Sequence, residues 1–108
     1  PGLLDRPLPP DELAGLGAVL DRHSAAGIRF HAVWTRQAGA RRFVSMHVLV
    51  PGEWTVSRGH GLLELIEQEV AAALPNVHVF THLEALEDPA SFADQALDRV
   101  LPGSPPHG

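Results

Sequence analysis

His82 and Glu84, near the end of the chain, are residues of the types that bind metal ions. They lie two positions apart in the segment VHVFTHLE, residues 77–84, which predicts a β-strand because β-branched and aromatic residues dominate it. Side chains alternate between the faces of a strand, so the imidazole and the carboxylate project from the same side. This pair suits a borderline divalent cation such as zinc. An H-x-E spacing alone is weak evidence, since most exposed charged side chains simply face water.

Three other histidines lie on separate predicted elements and could complete such a site. His31 is on the first predicted strand, His47 on the second, and His60 in the first turn of the second helix. Ligand-type side chains on four elements are typical of a site that is assembled by folding. Gly59 and Gly61 flank His60 at a cost of about 1 kcal/mol each relative to alanine, which indicates a close approach of another segment at this turn. Composition and spacing leave two interpretations equally open, a metal site and a set of scattered histidines that bind nothing.

Hydrophobic periodicity and turn residues predict the elements that would position these side chains. The first helix has Asp11 as its N-cap and ends near Ser24, while the second is capped by Thr55 or Ser57 and ends near Leu74. The apolar stripe of the first helix contains Leu13, Leu16, Gly17 and Leu20. Strands are predicted over residues 28–37, 41–50 and 77–84, with a hairpin turn at 38–40.

The order helix, strand, strand, helix, strand predicts an α+β fold. The hairpin makes the first two strands antiparallel, and the helical crossover makes the last two parallel. The result is a three-stranded mixed sheet with helices on one face, a ferredoxin-like sandwich that lacks the first strand. After Asp88-Pro89 a short helix with a thin apolar stripe is possible, and the terminal PGSPPHG is predicted to be disordered.

Composition excludes several classes of function. The chain has 108 residues and a formal net charge of −5, with no basic stripe that could pair with nucleic-acid phosphates. It contains no cysteine, which excludes disulfides and thiolate metal sites. No apolar run approaches the ~18 residues needed to cross a bilayer. Because so small a domain gains buried surface from a partner, we expect a homodimer.

Five segments resemble, in order and with matching spacing, the C-terminal cytoplasmic domain of the cation diffusion facilitator family, the zinc and divalent-metal efflux transporters. The opening GLLDRPLPP resembles the linker after the family's last membrane helix. HAVWTR at 31–36 resembles its H-D-L-R-T-R strand, and RFVSMH at 42–47 its second-strand histidine segment. VPGEWTVSRGH at 50–60 resembles the segment that leads to the helix histidine, and THLE at 81–84 the terminal H-x-E/D-P.

The resemblance implies a metallochaperone-like αββαβ fold, a V-shaped homodimer and zinc bound near the dimer interface. Two departures from the family pattern could alter the support of the ligands: Ala32 stands where the family often has aspartate, and Ala85 where a proline usually follows the acid. Nitrogen and oxygen donors suit Zn²⁺, with Co²⁺, Cd²⁺, Mn²⁺ and Fe²⁺ also compatible. Carried over by position, the metal ligands would be His31, His47, His60, His82 and Glu84.

These features together predict a non-enzymatic protein, the cytoplasmic regulatory, dimerising and zinc-sensing domain of an efflux transporter. Residues 1–10 would be the linker from the last transmembrane helix, 11–86 the dimerisation and metal-binding domain, and 87–108 a C-terminal tail. The domain, soluble as a fragment, would lie at the cytoplasmic face of the inner membrane beside the transmembrane domain of the same transporter. The alternative is a freestanding soluble metal-binding or buffering protein of the same fold. A zinc hydrolase is a more remote alternative, since the sequence has no nucleophile motif or phosphate loop.

Overall fold

The computed structural model describes residues 5–87, and six elements follow one another along them. They are β1 (Asp5–Arg6), α1 (Pro10–Ala25), β2 (Arg29–Ala38), β3 (Arg41–Val50), α2 (Val56–Ala73) and β4 (Val77–Ala85). The predicted order helix, strand, strand, helix, strand is confirmed, and β1 precedes it. Regular structure therefore begins before the predicted domain boundary at Asp11. The predicted short helix after Asp88 and the rest of the C-terminal tail lie outside the described residues.

The strands form one mixed sheet in the order β1-β2-β3-β4. β2 pairs antiparallel with both β1 and β3, whereas β3 and β4 are parallel. The parallel pair follows from the helix that connects its two strands, as predicted. The three longer strands are the predicted mixed sheet, and the two-residue β1 extends it at the β2 edge. Gly39, with a φ of +60°, allows the tight turn between β2 and β3.

A core of aliphatic side chains lies between the sheet and the two helices. Alternate residues of β3, one stripe of α2 and the C-cap residue Leu74 form its centre. Each is at most 4% exposed: Val44, Met46, Val48, Val50, Ile66, Val70 and Leu74. Leu16 and Val19 of α1 join the same cluster, as does Leu8, which precedes α1. Complete burial of one such side chain stabilises a fold by about 1.5–3 kcal/mol. The period-2 pattern of β3 and the helical stripe of α2 thus account for how the layers pack.

The two helices begin in different ways. α1 starts at Pro10 with Pro9 as its N-cap and has no side-chain cap, so the predicted N-cap at Asp11 is wrong. Proline suits the first helical position because its fixed φ is already helical and its missing N–H would have no partner there. α2 is capped as predicted by Thr55, whose hydroxyl accepts a hydrogen bond of 3.1 Å from the Arg58 N–H. Leu13, predicted to face the core, is 42% exposed.

A bulge in β2 determines which of its side chains share a face with His31. His31 pairs with His47, but the next registered pair is Trp34 with Ser45, so three steps along β2 match two along β3. The extra residue keeps both His31 and Trp34 on the sheet face away from the helices, which we call the histidine face. Ala32, inside the bulge, has a φ of 54°, a left-handed conformation that costs a residue with a β-carbon about 1–2 kcal/mol.

An ion pair joins the start of α1 to the start of β3. Arg42 donates from Nε to Glu12 Oε1 at 2.8 Å and from Nη2 to Glu12 Oε2 at 2.9 Å. This two-pronged geometry is the strong form of a carboxylate–guanidinium contact. The hydrogen bonds from Arg42 hold the pKa of Glu12 below its ordinary value of 4.5. The pair therefore stabilises the folded state whenever the carboxylate is ionised.

The Glu12→Gln variant should lose stability at neutral pH and progressively less at acid pH. Because the pKa of Glu12 is lower in the folded chain than in the unfolded one, its stabilisation is complete above about pH 4.5 and disappears as the pH falls through the folded-state value. Urea denaturation across this range should show the unfolding free energies of wild type and variant converging. Asp21→Asn, at an exposed position of α1, serves as the control. A difference that stays constant into acid would contradict this role.

Candidate metal centre

His47, His82 and Glu84 meet on the histidine face, where β3 and β4 run side by side. The parallel register pairs His47 with His82 and Leu49 with Glu84. One ligand atom from each of the three residues lies within 4.8 Å of the others. Glu84 Oε2 is 2.6 Å from His47 Nδ1 and 3.6 Å from His82 Nδ1. The two imidazole rings stand edge to face, with centroids 5.0 Å apart.

Burial differs sharply among the three side chains. His47 is 1% exposed and Glu84 9%, whereas His82 is 49% exposed. Neither carboxylate oxygen of Glu84 accepts a hydrogen bond from a described residue, although Oε2 lies close to His47 Nδ1. Burying a carboxylate without hydrogen bonds costs several kcal/mol, and such groups usually pair with a cation or coordinate a metal. The half-exposed His82 leaves the group open to solvent on one side.

This donor set fits a divalent metal ion. Two imidazole nitrogens and one carboxylate oxygen are the ligands of many zinc sites with three protein donors, and they also suit neighbouring first-row metals. Glu84 additionally lines an open groove of about 140 Å³, whose walls include Trp54, Val56 and Leu83. Part of Glu84 therefore borders this open groove, although both of its carboxylate oxygens are themselves covered.

His31 lies beside this group without belonging to it. The antiparallel register places it directly opposite His47, and its Nδ1 is buried with no hydrogen-bond partner among the described residues. The group whose ligand atoms lie within 4.8 Å of one another does not include it. His31 is thus the nearest of the remaining predicted ligands by strand register, on the same face of the sheet.

His60, the fifth predicted ligand, is exposed on α2 and is not part of the group. The close approach predicted at its flanking glycines is confirmed at one of them. A β-carbon on Gly59 would overlap Leu83 Cδ2, while one on Gly61 would meet nothing within 4 Å. α2 therefore contacts β4 at Leu83, between His82 and Glu84 in sequence. Leu83 points to the helix side and its two neighbours to the histidine face.

Other aromatic and histidine side chains have partners within the fold. His78, on the same strand and face as His82, stacks on Phe43 with ring centroids 5.3 Å apart. The His23 side chain is only 13% exposed, and its Nε2 lies 2.6 Å from Glu69 Oε1. The Arg58 guanidinium lies 3.8 Å from the ring centroid of Trp54, a cation–π contact.

The comparisons with known proteins identify the family. A family model described as the cytoplasmic domain of cation efflux proteins matches residues 8–86, which is most of the chain. The chain belongs to this family. Its members are cation efflux transporters rather than enzymes, which agrees with the prediction of a non-enzymatic protein. No helix within residues 5–87 is both long and apolar enough to cross a membrane.

Individual relatives agree with the family assignment. An uncharacterized transporter of Synechocystis sp. is 47% identical over 103 residues, which are 95% of this chain and 33% of that protein. The metal-bound C-terminal domain of the CzcD transporter from Thermotoga maritima superposes with a TM-score of 0.65 at 27% identity, covering 73% of this chain and 92% of that one. The zinc form of CzrB, a candidate zinc transporter, gives 0.65 at 30% identity, covering 75% and 92%. The chain spans about a third of the length of the curated relatives it matches.

These neighbours confirm the predicted α+β fold of two helices and a three-stranded mixed sheet. Together with the group formed by His47, His82 and Glu84, they support binding of a divalent metal ion. They do not favour the freestanding metal-binding protein that the sequence left open as an alternative. The V-shaped homodimer and the five-residue ligand set remain predictions.

Gly59→Ala should destabilise the domain, and Gly61→Ala should stabilise it. The added methyl at position 59 overlaps Leu83, and overpacking of this kind costs about 1–3 kcal/mol. At position 61 the methyl meets open space, so the helix preference of alanine should contribute up to about 1 kcal/mol. Chemical denaturation of the two metal-free variants measures both effects. Equal stabilisation by both substitutions would show that α2 does not rest on Leu83.

Proposed function

We propose that this chain is the cytoplasmic regulatory, dimerising and metal-sensing domain of a cation diffusion facilitator efflux transporter, and that zinc is the metal it binds. The observation that supports this best is the Glu84 carboxylate, buried without a hydrogen bond between two imidazoles. A cation is the partner that such a group lacks. The zinc form of CzrB has the same fold at 30% identity, which favours zinc among the ions that accept these donors.

The proposed ligands are the five residues that the family resemblance indicates: His31, His47, His60, His82 and Glu84. Three of them already stand close enough to share one ion. A tetrahedral zinc ion takes four ligands, so five donors exceed one site, and a carboxylate such as Glu84 can bridge two ions. His31 and His60 are the donors for the second ion, with water or a residue of a second copy completing each coordination shell. Bound metal supplies the positive charge that the buried carboxylate needs.

Dimerisation through the histidine face is part of the proposal. Phe80 lies on this face two residues from His82 and is 60% exposed, so a second copy packed here would bury it. His82 itself is half-exposed, so a second copy packed on this face could contribute to the same ion. A domain of 108 residues also gains appreciable stability from burying such a surface.

Metal sensing follows from thermodynamic linkage. A ligand favours one arrangement of the dimer only to the extent that it binds that arrangement more tightly. If ions are held by groups from both copies, the closed arrangement binds metal better than the open one, and metal closes the dimer. In the full transporter, at the cytoplasmic face of the inner membrane, this closure would bias the attached transmembrane domain.

Metal affinity should depend on His82 and Glu84 and not on a histidine elsewhere on the same strand. Calorimetric titration with zinc should show His82→Ala and Glu84→Gln weakened by about tenfold or more, because each removes a donor from a shared ion. His78→Ala is the matched control, since His78 lies on β4 but stacks on Phe43. Unchanged affinity in both test variants would place the site elsewhere.

The domain should sediment as a homodimer and become more compact when zinc binds. Small-angle scattering near neutral pH, with zinc and then with a chelator, should give a smaller radius of gyration for the zinc form because metal ties the two copies together. The Glu84→Gln dimer should show no such change. A radius that stays constant while calorimetry reports tight binding would mean that the domain binds metal without acting as a switch.

A further inference from the structure

β4, the strand that bears His82 and Glu84, lies at one edge of the described sheet. Within residues 5–87 its backbone pairs with β3 alone. An edge strand has one ladder of hydrogen bonds where a central strand has two. Its rotation and lateral position therefore depend more heavily on the side chains that pack against it. For β4 these side chains come from α2.

Two contacts with α2 flank His82 along the strand. On one side, the Thr81 hydroxyl donates a hydrogen bond of 2.6 Å to Glu67 Oε2. On the other, Leu83 packs against the space where Gly59 has no β-carbon. Thr81 and Leu83 face the helices, whereas His82 projects to the histidine face. α2 thus contacts the ligand-bearing segment of β4 from the helix side, at the residue before His82 and at the residue after it.

The contact between Thr81 and Glu67 differs in kind from the packing around it. The other residues of β4 on this face are apolar: Val77, Val79, Leu83 and Ala85. An O–H···O⁻ hydrogen bond of 2.6 Å is in the range of strong, charge-assisted bonds. Apolar packing is non-directional, but a hydrogen bond fixes an angle as well as a distance. Beyond the ladder with β3, this bond therefore gives β4 a directional restraint that the apolar packing does not supply.

We infer that Glu67 is a positioning residue for the metal centre, acting through Thr81 on the strand that presents His82 and Glu84. A rotation of β4 would change the 2.6 Å separation between Glu84 Oε2 and His47 Nδ1 on β3, and with it the fit of the three donors to one ion. The inference rests on the proposed metal-binding function.

The test uses Thr81→Val, which removes the hydroxyl at nearly constant volume, and Glu67→Ala, which removes its acceptor. Titrations with zinc should show both variants weakened about threefold to thirtyfold, the range expected for residues that act on a site without touching the ligand. With cobalt, their visible absorption spectra should differ from wild type because the coordination geometry has changed. Glu67→Gln keeps a carbonyl acceptor for Thr81 and should retain both the affinity and the spectrum.

Glu12→Ala is the matched control for a general loss of stability. Glu12, like Glu67, is a helix carboxylate bonded to a sheet side chain, but its partner Arg42 lies on β3, away from the ligand pair of β4. The Glu12→Ala variant should bind zinc with the wild-type affinity and give the wild-type cobalt spectrum. Hydrogen exchange in the metal-free protein gives an independent readout. Amides of residues 81–84 should exchange faster in Thr81→Val and Glu67→Ala, and those of β2 should not.

The outcomes separate this inference from the function on which it rests. A wild-type chain that binds neither zinc nor cobalt contradicts the proposed function. Wild-type binding with unchanged affinity, spectrum and β4 exchange in both Thr81→Val and Glu67→Ala overturns the positioning role and leaves the function intact. Equal weakening in Glu12→Ala also overturns it, because stability alone would then explain the loss.

Discussion

The burial of one carboxylate constrains this structure more than any other single feature. Glu84 is nine-tenths covered and accepts no hydrogen bond from a described residue, with imidazoles on two sides. A domain has only about 5–15 kcal/mol of net stability, and burying a carboxylate without hydrogen bonds costs several kcal/mol. Such a cost is tolerable when a cation that binds only the folded state offsets it, so that metal binding and folding become linked.

The rest of the fold can be understood as the means of bringing donors to that carboxylate. The parallel pairing of β3 and β4 sets His47 next to His82, and the antiparallel hairpin sets His31 opposite His47. The β2 bulge, where Ala32 has a left-handed conformation, keeps Trp34 on the histidine face together with His31. α2 then supports β4 from the helix side through Thr81 and Leu83. The position of each donor thus depends on a strand that is itself held in place by the neighbouring strands and, for β4, by α2.

Local patterns in the sequence were sufficient to predict the two helices and the three longer strands in their order. The bounds of β3, the Thr55 cap and the parallel crossover follow from alternation, capping chemistry and chain connectivity, and all are confirmed. Contacts between distant residues were not predictable in this way. The Asp11 cap was wrong because proline already suited the helix start, and neither β1 nor the buried Leu8 has a local signal within a proline-rich segment. The bulge at Ala32 and the burial of Glu84 arise from register and packing, which periodicity does not encode. For the same reason, the sequence offered five candidate ligands but could not indicate which three come together.

The location of bound zinc tests the central claim most directly. Crystals of the domain grown or soaked with zinc, measured at the zinc absorption edge, reveal the ion through its anomalous scattering independently of any assumption about ligands. The account predicts an anomalous peak in contact with Glu84 and with imidazole nitrogens of His47 and His82. A zinc ion bound only at other residues, with no ion in contact with the Glu84 carboxylate, would contradict it.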